Sequence, residues 1–400
     1  MIMTDLLLKN VRPLGGQATD LLIRDGLIAG IGSELTAPDA TPAEDGHGAI
    51  LWPGLIDAHT HLDKTTWGMP WHENDREAVL RSRIDFEREN RLTLDIDPHR
   101  QSLRHAIGLV AHGATHIRSH VDIDTTHGLR MMEGVQQTRE KLAGIVDIQM
   151  VAFPQSGVMV MPGTVELLDE ALSNGCEVLG GIDPCGIDRD PKGQLDALFV
   201  LADRHGCDVD IHLHEAGELG AFTMELIFER VRVHGMQGRF AISHAFALGM
   251  NDHARVGRLI DEIAALDIAI LTTGAPSAAV PSVKQLLAAG VRVGAGCDGI
   301  RDTWGPWGQP DMIDRATVIG MKNGFRSDRD LRLALEIVSQ GGADVMRLDG
   351  YGAAIGCKAD FTLLDGETVA HAVVNRAPRP LVVKGGKVVA RGGACVVDMP

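Results

Sequence analysis

Two histidines one residue apart, His59 and His61, close an apolar run, GLIDAHTH (54–61). In an extended chain a period of two puts both imidazoles on one face, where they can grip one metal ion. Paired histidines on a strand also occur as surface or hydrogen-bonded core residues, so the pair alone leaves both readings open. Further runs end in the same kinds of residue: His212-Leu213-His214-Glu215, Ser243-His244 and Cys297-Asp298. Brought to one mouth, three imidazoles and a carboxylate suit Zn²⁺ or Fe²⁺ and leave a position open for water.

The elements that must bring them together are legible as a period. Apolar runs begin at 54, 114, 145, 177, 208, 239, 267 and 291, and from the second onward their starts fall 31, 32, 31, 31, 28 and 24 residues apart. That is the length of one strand and one returning helix. The stretches between them read as helices: PGTVELLDEALSNG opens with Pro162 and closes on Gly175, and NDHARVGRLIDEIAALD carries an Asn251/Asp252 cap. Eight such units predict a (β/α)8 barrel with its reactive groups at the carboxyl ends of the strands. His120 and Asp183, at the ends of the second and fourth strands, join the pocket candidates on that ground. His112 and His116 precede His120 at helical spacing, but Gly113 and the β-branched run make the segment a strand.

The first unit is longer, with 60 residues between its strand and the next. The surplus (63–75) could form a lid, with Trp67, Met69, Pro70 and Trp71 beside the active strand, and its Arg/Glu-rich continuation reads as a solvated helix. Both ends of the chain are β-rich, and neither makes a stable sheet alone. The expected organisation is therefore 1–53 and 351–400 pairing into a small flanking β-sandwich, with 54–350 forming the catalytic barrel.

Composition excludes several classes. Hydrophobic residues at 44% and charged residues at 23% of 400 can fill a large core. A net charge of −16, from 38 Lys and Arg against 54 Asp and Glu, repels phosphate backbones and anionic lipid, so neither nucleic acid nor membrane is expected as a partner. The opening MIMTDLLLKN lacks a leader's charged and long apolar regions, which predicts a soluble cytoplasmic protein. The six cysteines form no CxxC pair and read as reduced structural thiols. Gly294-x-Gly296-x-x-Gly299 follows a strand like a dinucleotide fingerprint, yet RDTWGPWGQP follows where a helix is needed, so nucleotide binding is rejected.

In this order, PGLIDAHTHLDKT, VAFPQSG, HLHEAGELG, SHAFAL and DGIRDTWGPWG resemble the amidohydrolase superfamily, within it the cytosine deaminase-like branch, over nearly the whole chain. The resemblance implies the barrel with its flanking sandwich, and one divalent metal, Zn or Fe. It also implies hydrolytic removal of an amine from a small nitrogen heterocycle, in a homo-oligomer. Carried over by position, His59, His61, His212 and Asp298 are the metal ligands, Glu215 the proton shuttle and His244 the group that orients water. Gln155 becomes a substrate amide reader, able to donate and accept at once, and Trp304 a pocket wall. Dinuclear members carry a bridging lysine at the end of the fourth strand; GGIDPC has none, so one metal is expected, with Asp298 free to hold a proton.

Two departures bear on the substrate. Gly299 stands where cytosine deaminases have a second aspartate, which suggests a gap that a ring substituent would fill. DAHTHLDKT, the VDIQMVAF run and IRD-x-W are closer to the N-isopropylammelide amidohydrolases of s-triazine breakdown, while Glu215 is the cytosine deaminase choice. Deamination of a cytosine-like ring, releasing ammonia, is the leading expectation, and release of an alkylamine from an s-triazine the alternative. A catalytically dead scaffold would have lost ligands, and every ligand position is filled.

Overall fold

The computed structural model describes residues 5–33, 35–38, 40–73, 79–91 and 93–400. Residues 1–4, read above for a leader, and 74–75 of the surplus loop lie outside the described residues. The chain opens with β1 (Leu6–Pro13), β2 (Thr19–Arg24), β3 (Leu27–Gly32), β4 (Ala43–Asp45) and β5 (Ile50–Pro53). Then β6 (Leu55–Thr60) leads to α1 (Leu80–Asn90) and α2 (Pro98–Ala111). Strand and helix alternate next: β7 (Ala114–Asp122), α3 (Arg130–Lys141), β8 (Asp147–Phe153), α4 (Thr164–Ser173), β9 (Val178–Ile182) and α5 (Pro191–His205). The alternation continues with β10 (Asp208–His212), α6 (Gly217–His234), β11 (Phe240–Ser243), α7 (His253–Ala265), β12 (Ala269–Thr272), α8 (Val283–Ala288) and β13 (Val293–Ala295). Three helices, α9 (Met312–Lys322), α10 (Asp328–Ile337) and α11 (Gln340–Met346), precede β14 (Phe361–Leu364), α12 (Val369–Val374), β15 (Leu381–Lys384), β16 (Lys387–Arg391) and β17 (Ala394–Cys395).

Strands β6 to β13 pair in chain order, all parallel, each sheathed by the helix that returns from it. Such strands are covered on both faces, and the continuous burial of β6, β7 and β9 is why they read as unbroken apolar runs. The barrel closes where Thr60 bridges Asp298 and the Asp298 amide donates to the His59 carbonyl at 2.8 Å. Closure is thus made by the residues that carry the candidate ligands. The helices start on side chains suited to it: Asp190 caps α5 ahead of Pro191, and Asp252 caps α7 by accepting from the Arg255 amide.

The two termini form one sheet in the order β17-β16-β15-β14-β5-β1-β2-β3, with β4 on β1. Leu21, Ile23 and Ile28 from one half share a core with Phe361, Leu381 and Val383 from the other, so the sheet folds on itself as a sandwich. The architecture is the expected barrel with its flanking sandwich. After β13 the chain turns irregularly, and no helix begins before Met312, which disposes of the dinucleotide motif. All six cysteines are free. No helix among the described residues is long and apolar enough to cross a membrane.

Candidate active site

His59 and His61 point into the barrel from the end of β6, and both are buried. Their Nε2 atoms lie 3.6 and 3.3 Å from Asp298 Oδ1, and His212 Nε2 lies 3.4 Å from His61 Nε2. Ligands about 2.1 Å from one tetrahedral ion are about 3.4 Å apart, so these spacings suit a shared ion. His244 joins them, since His59, His212, His244 and Asp298 each offer an atom within 4.8 Å of the others. Burial pushes His61 down to about 3, and His212 and His244 well below the usual imidazole range, leaving neutral rings with lone pairs to give. Burial would raise the Asp298 carboxyl; His244, His59 and His61 instead hold it well below the carboxylate range. His59 Nε2 is buried without a hydrogen-bond partner among the described residues, a costly state that a bound cation removes.

A second layer fixes how His59 presents itself. Ser243 Oγ donates to Asp210 Oδ1 at 2.7 Å and lies 2.9 Å from His59 Nδ1. The serine's single proton is thereby used, so His59 Nδ1 carries the hydrogen of the second bond and Nε2 keeps its lone pair. Arg118 donates to Asp210 Oδ2 at 3.1 Å, and His120 Nε2 stands 3.5 Å from the same oxygen. Asp183, His244, Ala245 and Asp298 have φ of 33°, 69°, 50° and 61°. Left-handed backbone at residues other than glycine costs energy, and at these four strand-end positions it is local strain that the site geometry retains.

The cluster opens onto a cavity of about 220 Å³. Of the residues expected from sequence, His61, His212, Asp298, Gln155, Gly299 and Trp304 line it. Asp183 and His120, expected at the substrate, do not reach it. Asp183 receives the His214 and Glu215 amides and pairs with His214 Nδ1 at 2.7 Å, while His120 packs among His59, His61 and His212. Glu215 is also off the cavity wall: its Oε1 accepts from the Cys185 and Gly186 amides at 2.8 Å, and its Oε2 from the Thr223 hydroxyl. Burial, ahead of any neighbour, raises its pKa. Gly299 corrects a further expectation. A Cβ there would lie 1.7 Å from Asp302 Oδ2, so the space left by the absent side chain belongs to Asp302 rather than to a ring substituent.

Lys64, Arg83, His214 and Asp302 line the cavity without having been singled out from sequence. His214 sits inside the HLHE run, and burial opposes its charge, yet Asp183 raises its pKa. Lys64 belongs to a buried ionic network. Its Nζ donates to Gln155 Oε1 at 2.7 Å and Asp122 Oδ1 at 3.3 Å, and pairs with Glu87 at 3.6 Å. Arg91 binds Glu87, Asp122 and Asp63, and Trp304 Nε1 donates to Glu87. Burial and the Asp122 charge push Asp63 up to about 7, against the pull of Arg91 and Lys64. Glu87 and Arg91 come from α1 and its end, so the stretch read as a solvated helix turns these two charges inward, 2% and 1% exposed, while Arg81 stays half-exposed and Glu89 exposed. Trp67 lies against Gly108, while Met69, Pro70 and Trp71 border a neighbouring cleft that shares Asp302. A larger cleft of about 520 Å³ lies at the amino-terminal end of the strands, around Trp52, Arg292 and Arg332, away from the imidazoles.

Fold and site together define a metal-dependent hydrolase barrel, and comparison with known proteins agrees. Residues 43–390 match the model of the amidohydrolase family. A solved N-isopropylammelide isopropylaminohydrolase from Burkholderia multivorans is 48% identical, with a TM-score of 0.95 over 98% of this chain and 100% of that one. The N-isopropylammelide isopropyl amidohydrolase of Pseudomonas sp. strain ADP is 30% identical over 87% of each chain. A 5-methylcytosine deaminase from Klebsiella pneumoniae is 28% identical, with a TM-score of 0.85 over 96% of this chain and 97% of that one. The chain belongs to the amidohydrolase family, in the cytosine deaminase-like branch, and is a hydrolase of C–N bonds.

Proposed function

We propose that the protein hydrolyses the exocyclic C–N bond of an oxo-substituted s-triazine and releases an alkylamine. The observation that carries the reading is the convergence of His59, His61, His212 and Asp298 on one edge of a cavity of about 220 Å³, with Lys64, Gln155 and Trp304 on its walls. The full-length likeness at 48% identity to an N-isopropylammelide isopropylaminohydrolase supports an alkylamine as the leaving group, ahead of ammonia from a cytosine-like ring. With no lysine at the end of β9, one divalent ion per chain, Zn or Fe, fits the four groups.

When bound, such an ion supplies Lewis-acid activation of water. His244, neutral beside Asp298, orients the attacking water and accepts its hydrogen bond. Trp304, fixed by Glu87, covers the ring, while Lys64 and Gln155 hold its oxygens. Glu215, turning from Cys185 and Gly186, passes one proton of the attacking water to the ring nitrogen, and Asp298 takes the remaining hydroxyl proton and gives it to the departing amine. Burial raises the Glu215 pKa, the direction that suits a proton carrier.

A second reading, deamination with release of ammonia, is favoured by the identity of Glu215 and by the 5-methylcytosine deaminase likeness. Zinc- or iron-loaded protein assayed on N-isopropylammelide, cytosine and 5-methylcytosine, with isopropylamine and ammonia quantified separately, decides between them. Isopropylamine release at the highest kcat/KM is expected. Ammonia from a pyrimidine at the highest kcat/KM would establish the second reading instead.

A further inference from the structure

Thr223, buried on α6, faces the one oxygen of Glu215 that can hold a proton. Glu215 Oε1 accepts from the Cys185 and Gly186 amides, each at 2.8 Å, and a backbone amide only donates. A proton carried by Glu215 in this position therefore sits on Oε2, against the Thr223 hydroxyl. The hydroxyl oxygen has two further neighbours. The Leu219 carbonyl, one turn back on α6, lies at 3.2 Å, and the Cys185 thiol at 3.3 Å.

A hydroxyl has one proton to give and lone pairs to receive with, so these neighbours complete it in either charge state of the glutamate. Against ionised Glu215, Thr223 donates to Oε2 and receives the Cys185 thiol proton. Against protonated Glu215, it accepts from Oε2 and turns its own proton to the Leu219 carbonyl. Neither state strands a buried polar group, which would be costly. Burial raises the Glu215 pKa, and the Thr223 hydroxyl pulls it back down. Titratable groups face the carboxyl from the neighbouring elements: Asp183 and Cys185 after β9, and His214 after β10, itself held by Asp183. Glu218, at the start of α6, is exposed.

We propose that Thr223 is a hydroxyl switch that lets Glu215 take up and give back a proton, a positioning residue that acts on the reaction through Glu215. The inference rests on the proposed function in giving Glu215 a proton transfer, and extends it to the residue that sets the resting charge of the glutamate. A glutamate that first takes a proton from water must be ionised at rest, so the acid limb of kcat/KM follows its ionisation in the free enzyme. Without the hydroxyl both charge states lose a partner. A bond to an ionised group is about twice as strong as a neutral one, so the ionised state loses more and the limb moves to higher pH.

Thr223→Val keeps the shape of the side chain and removes the hydroxyl. In the zinc-loaded protein acting on N-isopropylammelide, it should move the acid limb of kcat/KM by about one pH unit towards alkaline, the scale of one hydrogen bond to an ionised group. The carboxyl resonance of isotope-labelled Glu215, assigned by its loss in Glu215→Gln and followed by NMR without substrate, should titrate higher by the same amount. Thr223→Ser restores the hydroxyl and should return both midpoints to their wild-type positions, which a purely structural role would not require. Should Thr223→Val fail to fold, Thr223→Ala carries the same expectation. A resonance that titrates alike with and without the hydroxyl, or that Thr223→Ser fails to restore, overturns the inference. A limb that stays put while the resonance moves overturns the part of Thr223 in the reaction. The proposed reaction fails separately: a shifted resonance without hydrolysis of any ring condemns the reaction alone. Hydrolysis with an unmoved resonance condemns the switch alone.

Discussion

Gly299 is glycine for the sake of a neighbour. Its φ lies outside the left-handed region, so no turn requires it, and a Cβ would run into Asp302 Oδ2. The Asp302 carboxylate is anchored by the Trp304 and Gly305 amides at 2.8 and 3.0 Å, which also places Trp304. Gly299→Ala should therefore displace Asp302 and lower kcat/KM by ~10–100-fold, the scale of a lost charged hydrogen bond of ~1.5–3 kcal/mol. Asp302→Ala should cost a similar amount, and the double variant no more than Asp302→Ala alone, because one side chain is the target of both. Additive losses in the three kcat/KM values would mean that Gly299 has a separate task. Glu215→Gln should keep its metal content while kcat falls by ~10²–10⁴. Near-normal turnover on the best substrate would remove Glu215 from proton transfer and turn attention to His214, which lines the cavity beside Asp183.

Among the elements, β11 positions a ligand it does not itself supply. Ser243 spends its proton on Asp210 and so fixes the tautomer of His59 on β6. Ser243→Ala removes that constraint while leaving the cavity wall untouched, and metal affinity should fall by ~10–100-fold in competition with a chelator. Unchanged affinity would show that packing alone orients the ring. All eight barrel strands were legible from sequence, because parallel strands covered on both faces are unbroken apolar runs at a steady spacing. The ends of those runs gave the imidazoles and Asp298 for the same reason, as strand-end residues of a closed barrel share one mouth. Helix α1 was legible as a helix, but the inward facing of two of its charges was not. Its Arg and Glu pattern is that of a solvated surface, and only the partners Asp63, Lys64 and Asp122, from the ends of two strands, turn Glu87 and Arg91 inward. Lys64 escaped notice likewise, since nothing in LDKT tells a buried lysine from an exposed one.

At the scale of the molecule, the terminal sandwich is tied to the barrel by a buried lysine. Lys384, on β15, donates to Asp360 Oδ2 at 2.8 Å and to Asp147 Oδ2, on β8, at 2.6 Å, and lies 3.1 Å from His116 on β7. Lys384→Met would leave Asp360, 3% exposed, without its counter-charge, and breaking such a buried pair costs about 3–5 kcal/mol. The loss should depend on pH in a definite sense. Burial pushes the Asp147 carboxyl up, but His116 and Lys384 hold it well below the carboxylate range. A group whose folded pKa is depressed contributes its stability above the unfolded value of about 3.9 and loses it as pH falls further. Asp147 is largely exposed, so its share is small, but its direction is fixed. Burial and the Lys384 charge lower the His116 pKa, and this destabilises the native protein below about pH 6.5, where the unfolded chain takes up the proton. Removing the ammonium relieves part of that penalty. Both effects act in one direction: the stability difference between wild type and Lys384→Met, measured by urea unfolding, should be largest near neutral pH and narrow on acidification. A gap that widened in acid would mean that Lys384 does not stabilise through Asp147 and His116, leaving Asp360 as its one working partner.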